Sequence, residues 1–277
     1  MDFRGAAFDA LEELGILDKV RAHDTRMRGT ALVDGTGAEV GQLPAEAFAG
    51  ELEVPKRELT RILHEITAKD IEYVFDDSIT TLTEHESGVA VEFERGRARE
   101  FDLVFGADGV YSKVRRLTFG PHAEAVRHLG MSGAGFTADN YLGLDRSGLL
   151  QHAEGTAIYV FSAGDPDRLT ASLSFATDSL ALDRRGRDEQ ERAVRAAFAG
   201  RGWEAPRLLE AMADADDFYF ASTCQVHLDR WSRGRVARPG RARRRRRILR
   251  RAHQQYGHLA GADRRTGAGP AAGPGGR

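Results

Sequence analysis

The stretch FDLVFGADGVYSKVRR, residues 101–116, constrains the fold more than any other. Its first half, FDLVFGAD (101–108), is apolar without alternation, which predicts a strand buried on both faces and hence a parallel sheet covered by helices. Gly106 and Gly109 allow a sharp turn and close backbone approach, and GVYSKVRRLTF (109–119) reads as a helix start. A strand handing over to a helix in this way leaves the first-turn amides facing outward, where the helix dipole favours an anion such as a phosphate. Arg115 and Arg116 add fixed positive charge, and Asp108 suits a ribose or sugar-alcohol hydroxyl. On spacing alone the same residues also read as a capping Asp followed by surface arginines.

The flanking sequence changes period twice. Phe8, Leu11, Leu14 and Leu17 form a helical stripe that stops near Gly15, and Leu59, Ile62, Leu63 and Ile66 form another, with Pro55 suited to a helix start. IEYVF (71–75) and VAVEFE (89–94) read as strands, Ser87-Gly88 marking the turn before the second. Beyond residue 122 the pattern is of strands at 156–164, 168–177 and 217–228, with helices at 187–200 and 205–215. The fold class this predicts is α/β, α+β overall. An incomplete Rossmann-like nucleotide-binding domain (1–121) is followed by an antiparallel-sheet domain (122–227), a return strand (228–237) and a disordered tail (238–277).

Charge separates the tail from the body. Residues 238–277 hold twelve arginines and one acid, whereas the preceding 237 residues hold 28 basic and 41 acidic side chains. The tail lacks apolar residues enough to offset its ordering entropy. It is expected to touch nucleic acid only non-specifically, through phosphates. No apolar run is long enough to span a bilayer, and the N-terminus does not read as a signal peptide. A single cysteine, Cys224, excludes an internal disulfide and any cysteine metal cluster. These features favour the cytoplasm. His128, His152 and His227 read as surface or packing residues, and no catalytic residue emerges.

DLVFGADGVYSKVR resembles the Gly-Ala-Asp-Gly-x-x-Ser-x-Val-Arg signature of class A FAD-dependent monooxygenases, the para-hydroxybenzoate-hydroxylase-like aromatic hydroxylases. DFRGAAFDALEELGILDKV, VPKRELTRIL and DRWSRGRVA resemble further segments of that family, so the likeness runs from about residue 2 to 237. It implies FAD and NAD(P)H as cofactors and a small aromatic or polyketide-like substrate, hydroxylated through a flavin C4a-hydroperoxide. Carried over by position, Asp108, Gly109, Ser112 and Arg115 would touch the flavin or the pyrophosphates, and Arg57 would lie near the isoalloxazine or ribityl part.

The sequence departs from the family at both ends. It has no βαβ unit with Gly-x-Gly-x-x-Gly; the nearest approach, Gly35-Thr36-Gly37, lies in a polar turn. Beyond Ala237 the expected Gly-Asp-Ala flavin segment is replaced by Arg-Pro-Gly and five consecutive arginines. A chain truncated at the N-terminus and frameshifted after Ala237 is therefore expected. The alternative is a non-enzymatic remnant that binds small molecules or partners without flavin.

Overall fold

The computed structural model of the chain describes residues 1–48, 50–178 and 180–237. The 238–277 tail, and the disorder and altered reading frame expected there, lie outside the described residues.

The chain begins with β1 (Asp2–Phe3), α1 (Ala6–Glu13) and α2 (Leu17–Arg21), then β2 (Gly29–Val33) and β3 (Glu39–Pro44). α3 (Ala45–Phe48), β4 (Leu52–Glu53) and α4 (Lys56–Thr67) follow. β5 (Ile79–Glu84), β6 (Val89–Phe93) and β7 (Arg99–Phe101) form a small antiparallel sheet leading to β8 (Val104–Phe105), α5 (Lys113–Phe119) and α6 (His122–Ala125). The long strands β9 (Val126–Asp139), β10 (Ser147–Ala153), β11 (Thr156–Ser162) and β12 (Arg168–Ala176) precede a 3-10 turn at Ala181–Arg184. α7 (Arg187–Ala197), α8 (Ala205–Asp214), β13 (Tyr219–Val226), β14 (Ser232–Arg233) and β15 (Val236–Ala237) complete the described chain. No helix among the described residues is long and apolar enough to cross a membrane.

The helical stripes fold as their spacing requires. Gly15, at φ 66°, breaks the first between α1 and α2, and Pro55 stands at the start of α4. Leu11, Leu17, Val20, Leu59 and Ile62 from these helices bury one another with Phe3, Leu52 and Val54. The largest sheet runs β13-β9-β12-β11-β10-β2-β3 and is antiparallel throughout except for the parallel β10–β2 pair. One face is covered by α7 and α8. There Phe136, Ile158, Val160, Leu169 and Leu173 meet Val194, Phe198, Leu208 and Met212, each fully buried side chain contributing about 1.5–3 kcal/mol. Two of its strands come from residues 29–44, outside the 122–227 stretch from which the sequence predicts it. Gly35-Thr36-Gly37 is the tip of that hairpin, closed by the Asp34 carboxylate, which accepts from the Thr36 and Ala38 amides at 2.8 and 3.1 Å.

Three expectations are corrected. IEYVF (71–75) forms no strand: Tyr73 and Phe75 stack with centroids 5.9 Å apart, and Tyr73 lies 4.6 Å from His64 of α4. Their rings pack along the helix, and regular pairing begins only at Ile79. FDLVFGAD is not one strand buried on both faces. β7 ends at Phe101, β8 has only two residues, and β8 sits at a sheet edge beside β15. Val104 is therefore buried while Leu103 and Phe105 are 56% and 67% exposed. The helix starts at Lys113, not 109, because Gly109 at φ 76° opens a turn first.

Candidate functional site

Val104 and Phe105 of β8 pair in parallel with Val236 and Ala237 of β15, and the Gly106 amide donates to the Ala237 carbonyl at 2.9 Å. Val104, Val114 and Val236 pack with Val89 and Val91 of β6 beneath this pair. Asp108 and Gly109 thus emerge beyond the C-terminal end of two parallel strands, the place where open α/β sheets receive ligands. A Cβ on Gly106 would stand 2.6 Å from Val114, so only glycine allows strand and helix to approach this closely. Among the described residues, a Cβ on Gly109 would meet nothing within 4 Å.

The amides expected to receive a phosphate are already taken. The Asp108 carboxylate accepts from the Lys113 and Val114 amides at 2.7 and 3.0 Å and from the Ser112 hydroxyl. Ser112 Oγ in turn accepts from the Arg115 amide at 2.9 Å. The capping reading of Asp108 is the one realised. Ser112 and Arg115 have no exposed surface, and both are engaged in building the turn.

Burial alone would raise the Asp108 pKa, but the Ser112 hydroxyl and the Val114 and Lys113 amides together outweigh it and hold the carboxyl below its ordinary 3.8. A carboxyl depressed in the folded state contributes stability above its unfolded pKa and loses it as pH falls through the folded value. Acid titration below about pH 4 should therefore loosen the start of α5 in the native chain. In Asp108→Asn, amide exchange of Lys113 and Val114 should be raised already at neutral pH and lose this acid dependence; an unchanged acid profile refutes the cap.

Arg115 folds back inside the turn. Its Nη2 donates to the Val110 carbonyl at 2.6 Å and to His122 Nδ1 at 2.8 Å. Because Nδ1 accepts, His122 is neutral with its proton on Nε2, and burial followed by Arg115, Arg184 and Arg116 pushes its pKa down. The His122 ring stacks on Tyr111, centroids 5.2 Å apart and 13° from parallel, and the Tyr111 hydroxyl donates to Asp183. Sequence reasoning misses His122, Tyr111 and Asp183. Tyr111, His122 and Asp183 lie on a turn, a short helix after Pro121 and a distant 3-10 turn, so no periodic signal links them.

Arg57 lies elsewhere, exposed in the first turn of α4. It borders a groove of about 540 Å³ with Arg61, His64, Tyr73 and Phe75, and among the described residues it makes no hydrogen bond or ion pair. The structure brings Asp108, Gly109, Ser112 and Arg115 together and leaves Arg57 on this separate groove. No group of acidic, histidine and cysteine side chains among the described residues is arranged to hold a metal ion.

No family model matches the chain. An uncharacterized protein of Mycobacterium tuberculosis is 40% identical over 248 residues, covering 87% of this chain and 67% of that protein. A flavin-dependent monooxygenase of Legionella longbeachae is 32% identical over 246 residues, covering 87% of this chain and 63% of the relative, and further relatives are named FAD-dependent monooxygenases. The crystal structure of the tetracycline destructase Tet(55) superimposes with a TM-score of 0.76 at 32% identity, covering 87% of this chain and 62% of the other. The chain thus spans roughly two thirds or less of the length of these relatives. The likeness takes in both the turn at Asp108 and the seven-stranded sheet, and by it the chain belongs to the flavin-dependent monooxygenases.

Proposed function

We propose that the chain serves its family's reaction, FAD-dependent hydroxylation of a small aromatic molecule at the expense of NAD(P)H and dioxygen. One oxygen atom enters the substrate, the other leaves as water, and NAD(P)H provides two electrons. FAD, when bound, supplies this redox chemistry; the protein's part is to bind, orient and exclude water.

The observation that carries the reading is the place of Gly109: left-handed, at the C-terminal end of the parallel β8–β15 pair. The residues present fit one end of a dinucleotide. Gly109 lets it approach the backbone and Asp108 lies at the same turn, while Arg57, on its own groove, offers a guanidinium to another part of the ligand. We assign these three to cofactor contact, and Ser112 and Arg115 to holding the turn. Residues 1–121 with 228–237 are the cofactor part, and 122–227 the substrate part, its sheet extended by β2 and β3.

The sheet face opposite α7 and α8 supports an aromatic substrate. Residues alternate across a strand, so while Ala134, Phe136, Ala171 and Leu173 enter the core, Gly133, Gly135, Thr137, Thr170, Ser172 and Ser174 face the other way. Tyr219 borders this low floor on one side. The stacked rings of Tyr159 and Phe161, centroids 5.0 Å apart, border it on the other. Rings beside a floor of small and hydroxyl side chains suit a planar, partly polar molecule. A pyridine-nucleotide reductant and a lone half-buried cysteine, Cys224, accord with work in the cytoplasm.

The test is FAD addition to the purified full chain, read by visible absorption, flavin fluorescence quenching and NAD(P)H oxidation with aromatic compounds. Binding is expected, and Asp108→Ala should weaken it roughly tenfold, about 1.4 kcal/mol. A protein that stays colourless after FAD addition overturns the reading and leaves the flavin-free alternative, which the relatives' names do not favour.

A further inference from the structure

The two residues after Gly109 are gripped from three directions. Arg115 Nη2 holds the Val110 carbonyl at 2.6 Å, His122 stacks on the Tyr111 ring, and the Asp183 carboxylate accepts from the Tyr111 hydroxyl. The first two grips come from the turn's own neighbourhood. Asp183 comes from the 3-10 turn between β12 and α7, on the large sheet's side.

That carboxylate is itself fixed. Asp183 Oδ1 accepts from Ser222 Oγ at 2.5 Å and Oδ2 from the Ser222 amide at 3.2 Å, anchoring it to β13. Ser222 Oγ is 2.6 Å from Ser132 Oγ on β9, and both serines are buried. The 3-10 turn is pinned to α7 by Gln190, whose Nε2 donates to the Leu182 carbonyl at 3.0 Å. A buried serine pair, a carboxylate with both oxygens engaged and one tyrosine hydroxyl thus form a continuous line from the β13–β9 edge of the sheet to the Asp108 turn. Short 3-10 turns adjust more readily than α-helix or sheet, so a carboxylate held there can set how its neighbours meet.

We propose that Asp183 is a positioning residue: by holding Tyr111 against Ser222, it sets the Asp108–Ser112 turn relative to the seven-stranded sheet. The inference rests on the proposed function for its purpose, since it joins the proposed cofactor turn to the proposed substrate sheet. Its geometry does not depend on flavin. Asp183 touches neither group; it acts through Tyr111.

Tyr111→Phe keeps the ring on His122 and removes only the hydroxyl, whereas Asp183→Ala removes the anchor. In the flavin-free full chain, both variants should speed amide exchange at Ser112–Arg115 by roughly five- to tenfold. The double variant should show no more than either alone, because the two residues act on one contact. The melting temperature of Tyr111→Phe should stay within about 1 °C of the native chain, since its hydroxyl is at a half-exposed residue. Asp183→Glu should recover most of the protection. Where the native chain binds FAD, both variants should raise the dissociation constant by a similar factor. A native chain that fails to bind FAD sinks the proposed function but leaves the exchange result to decide this one. Unchanged exchange at Ser112–Arg115 in either variant, additive effects in the double, or equal loss of protection across β11 and β12 overturns it.

Discussion

Arg115→Met is expected to lower unfolding free energy by about 2–3 kcal/mol and to abolish FAD binding, read from urea unfolding and flavin fluorescence. Methionine fills a similar length of the cavity, so the loss is not mainly one of packing. What disappears is the donor to the Val110 carbonyl and to His122 Nδ1, both of which stay where they are. Each part-buried acceptor left without its donor costs up to about 1–3 kcal/mol. Binding fails because the Val110 carbonyl, directly after Gly109, loses its hold. Replacing His122 as well, in Arg115→Met/His122→Phe, should regain part of the stability by removing one stranded acceptor. A loss below about 1 kcal/mol in the single variant would mean that the turn stands without its buried guanidinium.

Gly133→Ala is expected to cost about 2–3 kcal/mol, while the same change two residues on, Gly135→Ala, should cost under about 1 kcal/mol. Both glycines lie on β9 and face away from α7 and α8, and Gly135 is the more buried, so propensity and burial do not predict this order. Their neighbours do. A Cβ on Gly133 would lie 2.5 Å from the Leu173 carbonyl oxygen and 2.9 Å from Ser174 Cα, backbone atoms of the paired strand that move only if the β9–β12 ladder shifts. A Cβ on Gly135 would lie 2.2 Å from the Tyr219 ring, but that side chain is 59% exposed and can swing outward. Thermal unfolding of the two variants side by side decides the point, and equal losses would refute it. Gly135→Ala carries a second consequence, since moving Tyr219 alters the wall of the proposed substrate face.

The parts legible in sequence are those where side chains carry the pattern. β12 alternates strictly over a buried face, β11 is a short run rich in β-branched and aromatic residues, and α4 repeats Leu59, Ile62, Leu63 and Ile66 behind Pro55, so their boundaries fall within a residue or two of expectation. β9 is hard to see because LGMSGAGFT is rich in small residues with weak strand preference; its place is set by β12 and β13 on either side. A polar, glycine-rich hairpin hides β2 and β3. IEYVF misleads in the other direction, strand-like in composition yet held against α4 by its rings. At the site, Asp108, Gly109, Ser112 and Arg115 stand out together because they adjoin in sequence. What sequence does not reveal is which way their polar atoms turn: Asp108 onto the helix amides, Arg115 inward onto His122. Nor does it reveal the distant partner of the turn, Asp183, which accepts from the Tyr111 hydroxyl and which the chain supplies only much later.

The parallel pairing of β8 with β15 carries an implication for biosynthesis. Val104 waits for Val236, nearly half the chain downstream, so the platform under Asp108 has no partner strand while the ribosome is still making the sheet and its helices. Contacts of such long sequence separation form slowly, and maturation of the ligand-binding end must trail behind that of the sheet.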